Sequence, residues 1–220
     1  MIVNDRITEY IHSLDRGNGE LCDSIEKEAL KGRVPIIRKE TAALLKTLIA
    51  AKRPHEILEV GTAVGYSALL MSRVMPAKCH ITTIEKYEPR IPVAKENFRK
   101  AGMEDRITLL EGDAEGHLKQ LSDEKRVYDF IFMDAAKGQY LHWLPMILSM
   151  LPEGGMLFSD NVFQDGDIVE SRYAVERRDR TIHRRMREYL YVLTHHEQLE
   201  TSLIPIGDGT AVSVKVQKNL

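Results

Sequence analysis

Three oxygen-bearing side chains stand where short apolar runs stop. Asp134 follows Phe130-Ile131-Phe132-Met133, and Asp160-Asn161 follows Met156-Leu157-Phe158-Ser159. Two carboxylates and an amide are hard ligands suited to Mg²⁺, with Mn²⁺ or Ca²⁺ as alternatives. A metal held by only three protein ligands keeps octahedral positions for water and for two substrate oxygens, so a substrate with vicinal oxygens fits. Coordination lowers the pKa of a substrate hydroxyl and fixes its direction. Lys137, three residues after Asp134, can take that proton or stabilise the oxyanion. Its plainer role is a loop cation neutralising Asp134.

A second constellation lies upstream. The run Ile57-Leu58-Glu59-Val60-Gly61-Thr62-Ala63-Val64-Gly65-Tyr66-Ser67 puts a glycine turn between a buried strand and a helix, where glycine lets the backbone approach a ligand closely. A nucleotide cofactor is implied. The Gly61-x-x-x-Gly65 spacing is not the dinucleotide pattern G-x-G-x-x-G, and Glu59 would repel a phosphate. That carboxylate can instead orient the cationic amino-acid end of S-adenosylmethionine (SAM). Glu85, closing the next strand, can accept both ribose hydroxyls. Gly112-Asp113-Ala114 follows the third strand, with Asp113 placed to accept from the adenine amine. Singly, each acid could be a solvated loop residue; three at successive strand ends are harder to dismiss.

Positioning these groups requires strands alternating with helices. Strands are expected at Glu56 to Val60, His80 to Glu85, Ile107 to Glu111, Asp129 to Met133, Met156 to Ser159, Thr201 to Ile204 and Ala211 to Val216. Helix-length segments separate the first five, which predicts right-handed crossovers and a parallel sheet. Pro205-Ile206-Gly207-Asp208-Gly209 is too short for a crossover and reads as a hairpin turn, so one antiparallel strand is expected near the end of the sheet. Upstream of Pro35, Ile7, Ile11 and Leu14, then Leu21, Ile25 and Ala29, mark two short helices. This N-terminal helical cap, residues 1–33, is expected to cover the cofactor pocket or an oligomer interface in a homodimer.

At 220 residues, 43% apolar and 29% charged, the chain suits a single α/β domain over residues 1–220. No apolar run approaches the roughly 20 residues that span a bilayer, and Met1-Ile2-Val3-Asn4-Asp5 lacks a basic flank before an apolar core. A cytoplasmic protein with no membrane partner is expected. Cys22 and Cys79 form no CxxC or Cys/His pattern, which points to reduced, structural thiols. A net charge of -2 gives no global reason for a polyanionic partner. Tyr140 and Trp143 suit either a substrate pocket or helix packing, and His195-His196 a solvated helix end. No Ser/His/Asp or Cys/His set sits on a nucleophile turn.

Together, Glu59 to Ser67, Glu85, Gly112-Asp113-Ala114, Asp134-Ala135-Ala136-Lys137 and Ser159-Asp160-Asn161 resemble the cation-dependent O-methyltransferase family of caffeoyl-coenzyme A and catechol O-methyltransferases. The resemblance implies a Rossmann-like class I SAM methyltransferase: a seven-stranded, mostly parallel sheet with one antiparallel strand and helices on both faces. It assigns the metal to Asp134, Asp160 and Asn161 and the base to Lys137. Cofactor contacts fall to Ile37 through its backbone, and to Glu59, Gly61, Thr62, Ser67, Glu85, Asp113, Ala114 and Asp134. Two departures stand out: Ala135-Ala136 replaces a bulky residue of the catechol type, and the plant insertion for coenzyme A esters is not evident.

Within that family, Asp134 to Tyr140, Ser159-Asp160-Asn161-Val162 and Ile204 to Gly209 resemble the bacterial tRNA 5-hydroxyuridine methyltransferases. The resemblance implies methylation of wobble-position 5-hydroxyuridine in the tRNA anticodon to 5-methoxyuridine. That base carries its hydroxyl beside the 4-carbonyl, the same vicinal oxygen pair as a catechol. Seven arginines lie within sixteen residues, at positions 172, 177, 178, 180, 184, 185 and 187, against only Glu176 and Asp179. Val175, Ile182, Met186, Tyr189 and Leu193 predict a helical apolar face that leaves most of the arginines free for solvent or phosphate. Arg177, Arg178, Arg184 and Arg185 are the candidate tRNA contacts. The alternatives are a small-molecule catechol or phenol O-methyltransferase and a catalytically silent SAM- or RNA-binding module.

Overall fold

A computed structural model describes residues 3–217; the outermost residues of the expected 1–220 domain lie outside that range. Fifteen regular elements follow one another: α1 Asp5–Ser13, α2 Glu20–Lys31, α3 Lys39–Lys52, β1 Glu56–Val60, α4 Tyr66–Ser72, β2 His80–Glu85, α5 Ile91–Lys100, β3 Ile107–Glu111, α6 Ala114–Asp123, β4 Phe130–Met133, α7 Tyr140–Met150, β5 Met156–Ser159, α8 Arg180–His195, β6 Leu199–Ile204 and β7 Thr210–Lys215. The strands form one sheet in the order β3-β2-β1-β4-β5-β7-β6. Only β7 runs against the rest, pairing antiparallel with both β5 and β6. The expected seven-stranded sheet is therefore present, although β6 starts two residues earlier than its Thr201 reading.

Strand alternation builds a core on each face of the sheet. Leu58, Val60, Ile131, Met133 and Leu157 pack with Leu118 of α6, Ile147 of α7 and Met186 of α8. Ile57, Phe130, Phe132 and Phe158 pack with Ile25, Leu45 and Leu70 of α2, α3 and α4. The strand order reverses at β1, which has β2 on one side and β4 on the other. In an open parallel sheet such a reversal opens a crevice at the carboxyl ends of the strands.

The N-terminal helices behave differently from each other. Cys22, Ile25 and Ala29 of α2 are buried, whereas α1 buries none of its side chains and leaves Ile7, Ile11 and Leu14 exposed. His12 ties α1 to Glu40 of α3 at 2.6 Å. Among the described residues, no helix is long and apolar enough to cross a membrane.

Candidate functional site

The glycine turn after β1 is held against two other strands. Gly61 has φ +108, and a Cβ there would lie 2.0 Å from the Asp134 carbonyl oxygen, so only glycine admits this approach. The amides of Gly61 and Thr62 both donate to the Ile84 carbonyl at 3.1 Å. Glu85, buried at the end of β2, accepts from Ala63 N at 2.7 Å with one oxygen and from Tyr87 N at 2.8 Å with the other. The carboxylate thereby clamps the turn while keeping lone pairs for a ligand.

Beneath the turn, Glu59 is fully buried and accepts from Ser67 Oγ and Thr83 Oγ1, each at 2.5 Å. Burial is the main cause that pushes its carboxyl up to about 7. Glu59 is absent from the cavity wall, whereas Ser67 is part of it. Its connection to a ligand therefore runs through the Ser67 hydroxyl.

Across the cavity, Met133 and Ser159 are register partners on parallel strands, so Asp134 and Asp160 leave the sheet side by side. The Asp134 amide donates to Val60 O at 3.0 Å and the Asp160 amide to Met133 O at 2.9 Å. Asp160 is 2% exposed; burial first, then the charge of Asp134, raises its carboxyl to about 8. Burial also raises Asp134, opposed by the Lys137 cation. Lys137 opens a 3₁₀ turn, Lys137–Gln139. Tyr140 fixes the chain before that turn, donating its hydroxyl to Met133 O at 3.0 Å and accepting Ala135 N at 3.1 Å. Asn161 has a left-handed φ of 56°.

Asp160 is buried and Asp134 beside it partly so; once both are ionised, the single Lys137 cation leaves negative charge that a divalent cation would neutralise. The donor set thus fits a hard cation. Among the described residues no group of three His, Cys, Asp or Glu side chains is arranged to hold a metal; the third donor of this set is the Asn161 amide.

A cavity of about 700 Å³ joins the two halves, lined by Ile37, Gly61, Thr62, Ser67, Glu85, Asp113, Ala114, Asp134, Lys137 and Asn161 from the expected set. Asp160 sits behind this wall. Asp113 is also the N-cap of α6, accepting Glu115 N at 3.0 Å. Trp143 joins the lining beside Asp113 and Ala114, and its buried indole N–H has no protein acceptor. Of the two aromatics weighed from sequence, Trp143 faces the cavity, while Tyr140 is a packing and bracing residue.

The O-methyltransferase family model matches residues 18–216. The chain belongs to that family. It is 30% identical to the caffeoyl-CoA O-methyltransferase of Populus kitakamiensis, over 96% of this chain and 94% of the relative. Against the catechol O-methyltransferase of Niastella koreensis it is 35% identical over 58% of this chain and 57% of that one. A Staphylococcus aureus structure, a candidate caffeoyl-CoA O-methyltransferase, superposes with a TM-score of 0.86 at 30% identity, covering 94% and 98% of the two chains.

In this O-methyltransferase, the arginine segment departs from its sequence reading. Helix α8 begins only at Arg180, so Val175 and Arg172 to Arg178 precede it. Three arginines are engaged by backbone carbonyls: Arg180 by Val175 O at 3.1 Å, Arg185 by Gly138 O at 3.0 Å and Arg187 by Ile168 O at 3.3 Å. Arg178 lies 2.9 Å from Glu176. Arg172, Arg177 and Arg184 are exposed and, among the described residues, have no such partner. None of the seven arginines lines the cavity. Sequence reasoning missed Arg38 and Asp208 in the wall. Arg38 carries no sequence signal, whereas Asp208 lies in Gly207-Asp208-Gly209, whose glycines signal only a turn.

Proposed function

We propose that this chain is a SAM- and divalent-cation-dependent O-methyltransferase whose substrate is 5-hydroxyuridine at the wobble position of the tRNA anticodon. The observation that carries the O-methyl reading is the cavity itself, with an acceptor-lined nucleoside half facing Asp134, Lys137 and Asn161. SAM supplies the methyl group. Asp134, Asp160 and Asn161 would hold the cation, Mg²⁺ with Mn²⁺ or Ca²⁺ as alternatives, which acidifies and orients a substrate hydroxyl. Lys137 receives the hydroxyl proton or balances the oxyanion. Glu85 and Asp113 bind the ribose and adenine edges, Trp143 packs along the wall beside the heterocycle, and Ser67, braced by Glu59, orients the amino-acid end.

The tRNA reading is supported by the exposed cations Arg172, Arg177 and Arg184 and by the motif resemblance. Similarity to relatives named for catechol and caffeoyl-CoA favours a second reading, a small catechol or phenol acceptor. The two part in one experiment: purified protein with SAM and Mg²⁺ is given tRNA containing 5-hydroxyuridine, or catechol, and products are read by mass spectrometry. The tRNA reading expects 5-methoxyuridine, with a log-log salt slope of binding that falls by roughly one to two on Arg177→Gln/Arg184→Gln. Methylated catechol with unmodified tRNA would overturn it in favour of the second reading.

A further inference from the structure

The hairpin between β6 and β7 reaches into the site from far along the chain. Because β7 pairs with β5 and Ala211 is the partner of Ser159, the residues just before β7 meet those just after β5. The amides of Val162 and Phe163 donate to the carbonyls of Gly209 and Asp208 at 2.9 and 3.0 Å. Gly209 has φ +79, and a Cβ there would stand 2.3 Å from the Phe163 ring, so the hairpin tip closes tightly on the Asn161 segment. Asp208 is 5% exposed and lines the cavity. One of its oxygens accepts from Asn161 Nδ2 at 3.3 Å. The other accepts the amide of Asp165, whose own side chain pairs with Arg38 at 2.8 Å.

An asparagine binds a hard cation only through Oδ1, yet its amide can flip to present Nδ2 instead. A carboxylate oxygen accepts and does not donate, so Asp208 fixes Nδ2 toward itself and leaves Oδ1 for the cavity. We propose that Asp208 is a positioning residue for the metal centre, selecting the Asn161 amide orientation that exposes an oxygen to a divalent cation. The assignment rests on the metal reading above. Asp208→Asn would offer one acceptor oxygen to two donors, leaving either Asn161 Nδ2 or the Asp165 amide facing an NH₂ group.

Mn²⁺ binding to the SAM-free protein, followed by electron paramagnetic resonance and calorimetry, tests this without turnover. Asp208→Asn is expected to weaken Mn²⁺ binding roughly ten- to a hundredfold, the usual effect of losing a partner that orients a ligand. Metal-free thermal unfolding checks folding. The exchange Asn161→Asp/Asp208→Asn restores one donor and one acceptor with the charge reversed, so it should recover most of the loss and bind more tightly than Asn161→Asp alone. Equal affinity of Asp208→Asn and wild type would overturn the role of Asp208 while leaving the metal site standing. Should Asp208→Asn fail to fold, equal affinity of the exchange and Asn161→Asp alone would do the same. Wild-type protein that binds no Mn²⁺ would instead overturn the metal reading, and this inference with it.

Discussion

Below the glycine turn, Glu59 and Glu85 each have both carboxylate oxygens engaged, by the hydroxyls of Ser67 and Thr83 and by the amides of Ala63 and Tyr87. On the opposite wall, Asp160 accepts only the amide of its neighbour Asn161, and among the described residues the Asp134 side chain accepts no hydrogen bond. Asp160 is buried as Glu59 and Glu85 are, and Asp134 only partly, yet the two pairs do different things. Each oxygen of the first pair is tied to the fold by one hydrogen bond, which preforms a rigid cradle, and Glu85 keeps its remaining lone pairs for a ligand. The second keeps its acceptors and its charge for whatever binds, at a cost in stability, because buried carboxylates without partners are unfavourable.

The two walls should respond differently to losing a carboxylate. Asp134→Asn and Asp160→Asn should each abolish methyl transfer while leaving the metal-free thermal midpoint unchanged or higher. Loss of folding in both variants would erase the contrast. Lys137→Ala comes next, with kcat expected to fall about 10²- to 10⁴-fold, the usual worth of a positioned acid or base. A fall confined to KM would mark Lys137 as a loop cation instead.

On the cradle side, Glu59 sharpens the comparison through pH. Its carboxyl is raised from 4.5 to about 7 in the folded chain, so between these values the unfolded chain has released the proton and the folded chain retains it. Stability therefore falls as pH rises through this window, and the cost is fully present above it, on the order of 3 kcal/mol. Glu59→Gln should flatten the dependence between pH 5 and 8 in urea unfolding; parallel curves for the two proteins would remove Glu59 from that account. Glu85→Ala has the smallest expected effect, weakening SAM binding by about 1 to 3 kcal/mol. Calorimetry checks it, and an unchanged affinity would leave Glu85 as a clamp of the turn only.

The cradle was legible because its signals are local. Glycines follow one strand, acids close three successive strands, and each can be placed by counting along the chain. Asp134, Asp160 and Asn161 were readable for the same reason, since apolar runs end just before them. What stayed hidden depends on pairing between distant segments. Asp208 meets Asn161 only because β7 lies beside β5, and a hairpin turn does not announce which strand its tip will face. Arginine spacing could not reveal that Arg185 spans to Gly138 or that α8 starts only at Arg180. Nor could helical periodicity tell that α1 would leave Ile7, Ile11 and Leu14 uncovered while α2 buried its apolar face.

Methyl transfer is proposed to depend on a divalent cation held at Asp134, Asp160 and Asn161. EDTA-stripped wild-type protein, titrated with Mg²⁺ at saturating SAM and given 5-hydroxyuridine-containing tRNA, or catechol under the second reading, tests this most directly. Activity is expected to disappear on stripping, to return with a single saturable dependence on Mg²⁺, and not to return in Asp160→Asn. Full turnover by the stripped protein, at the rate seen with Mg²⁺, would contradict it.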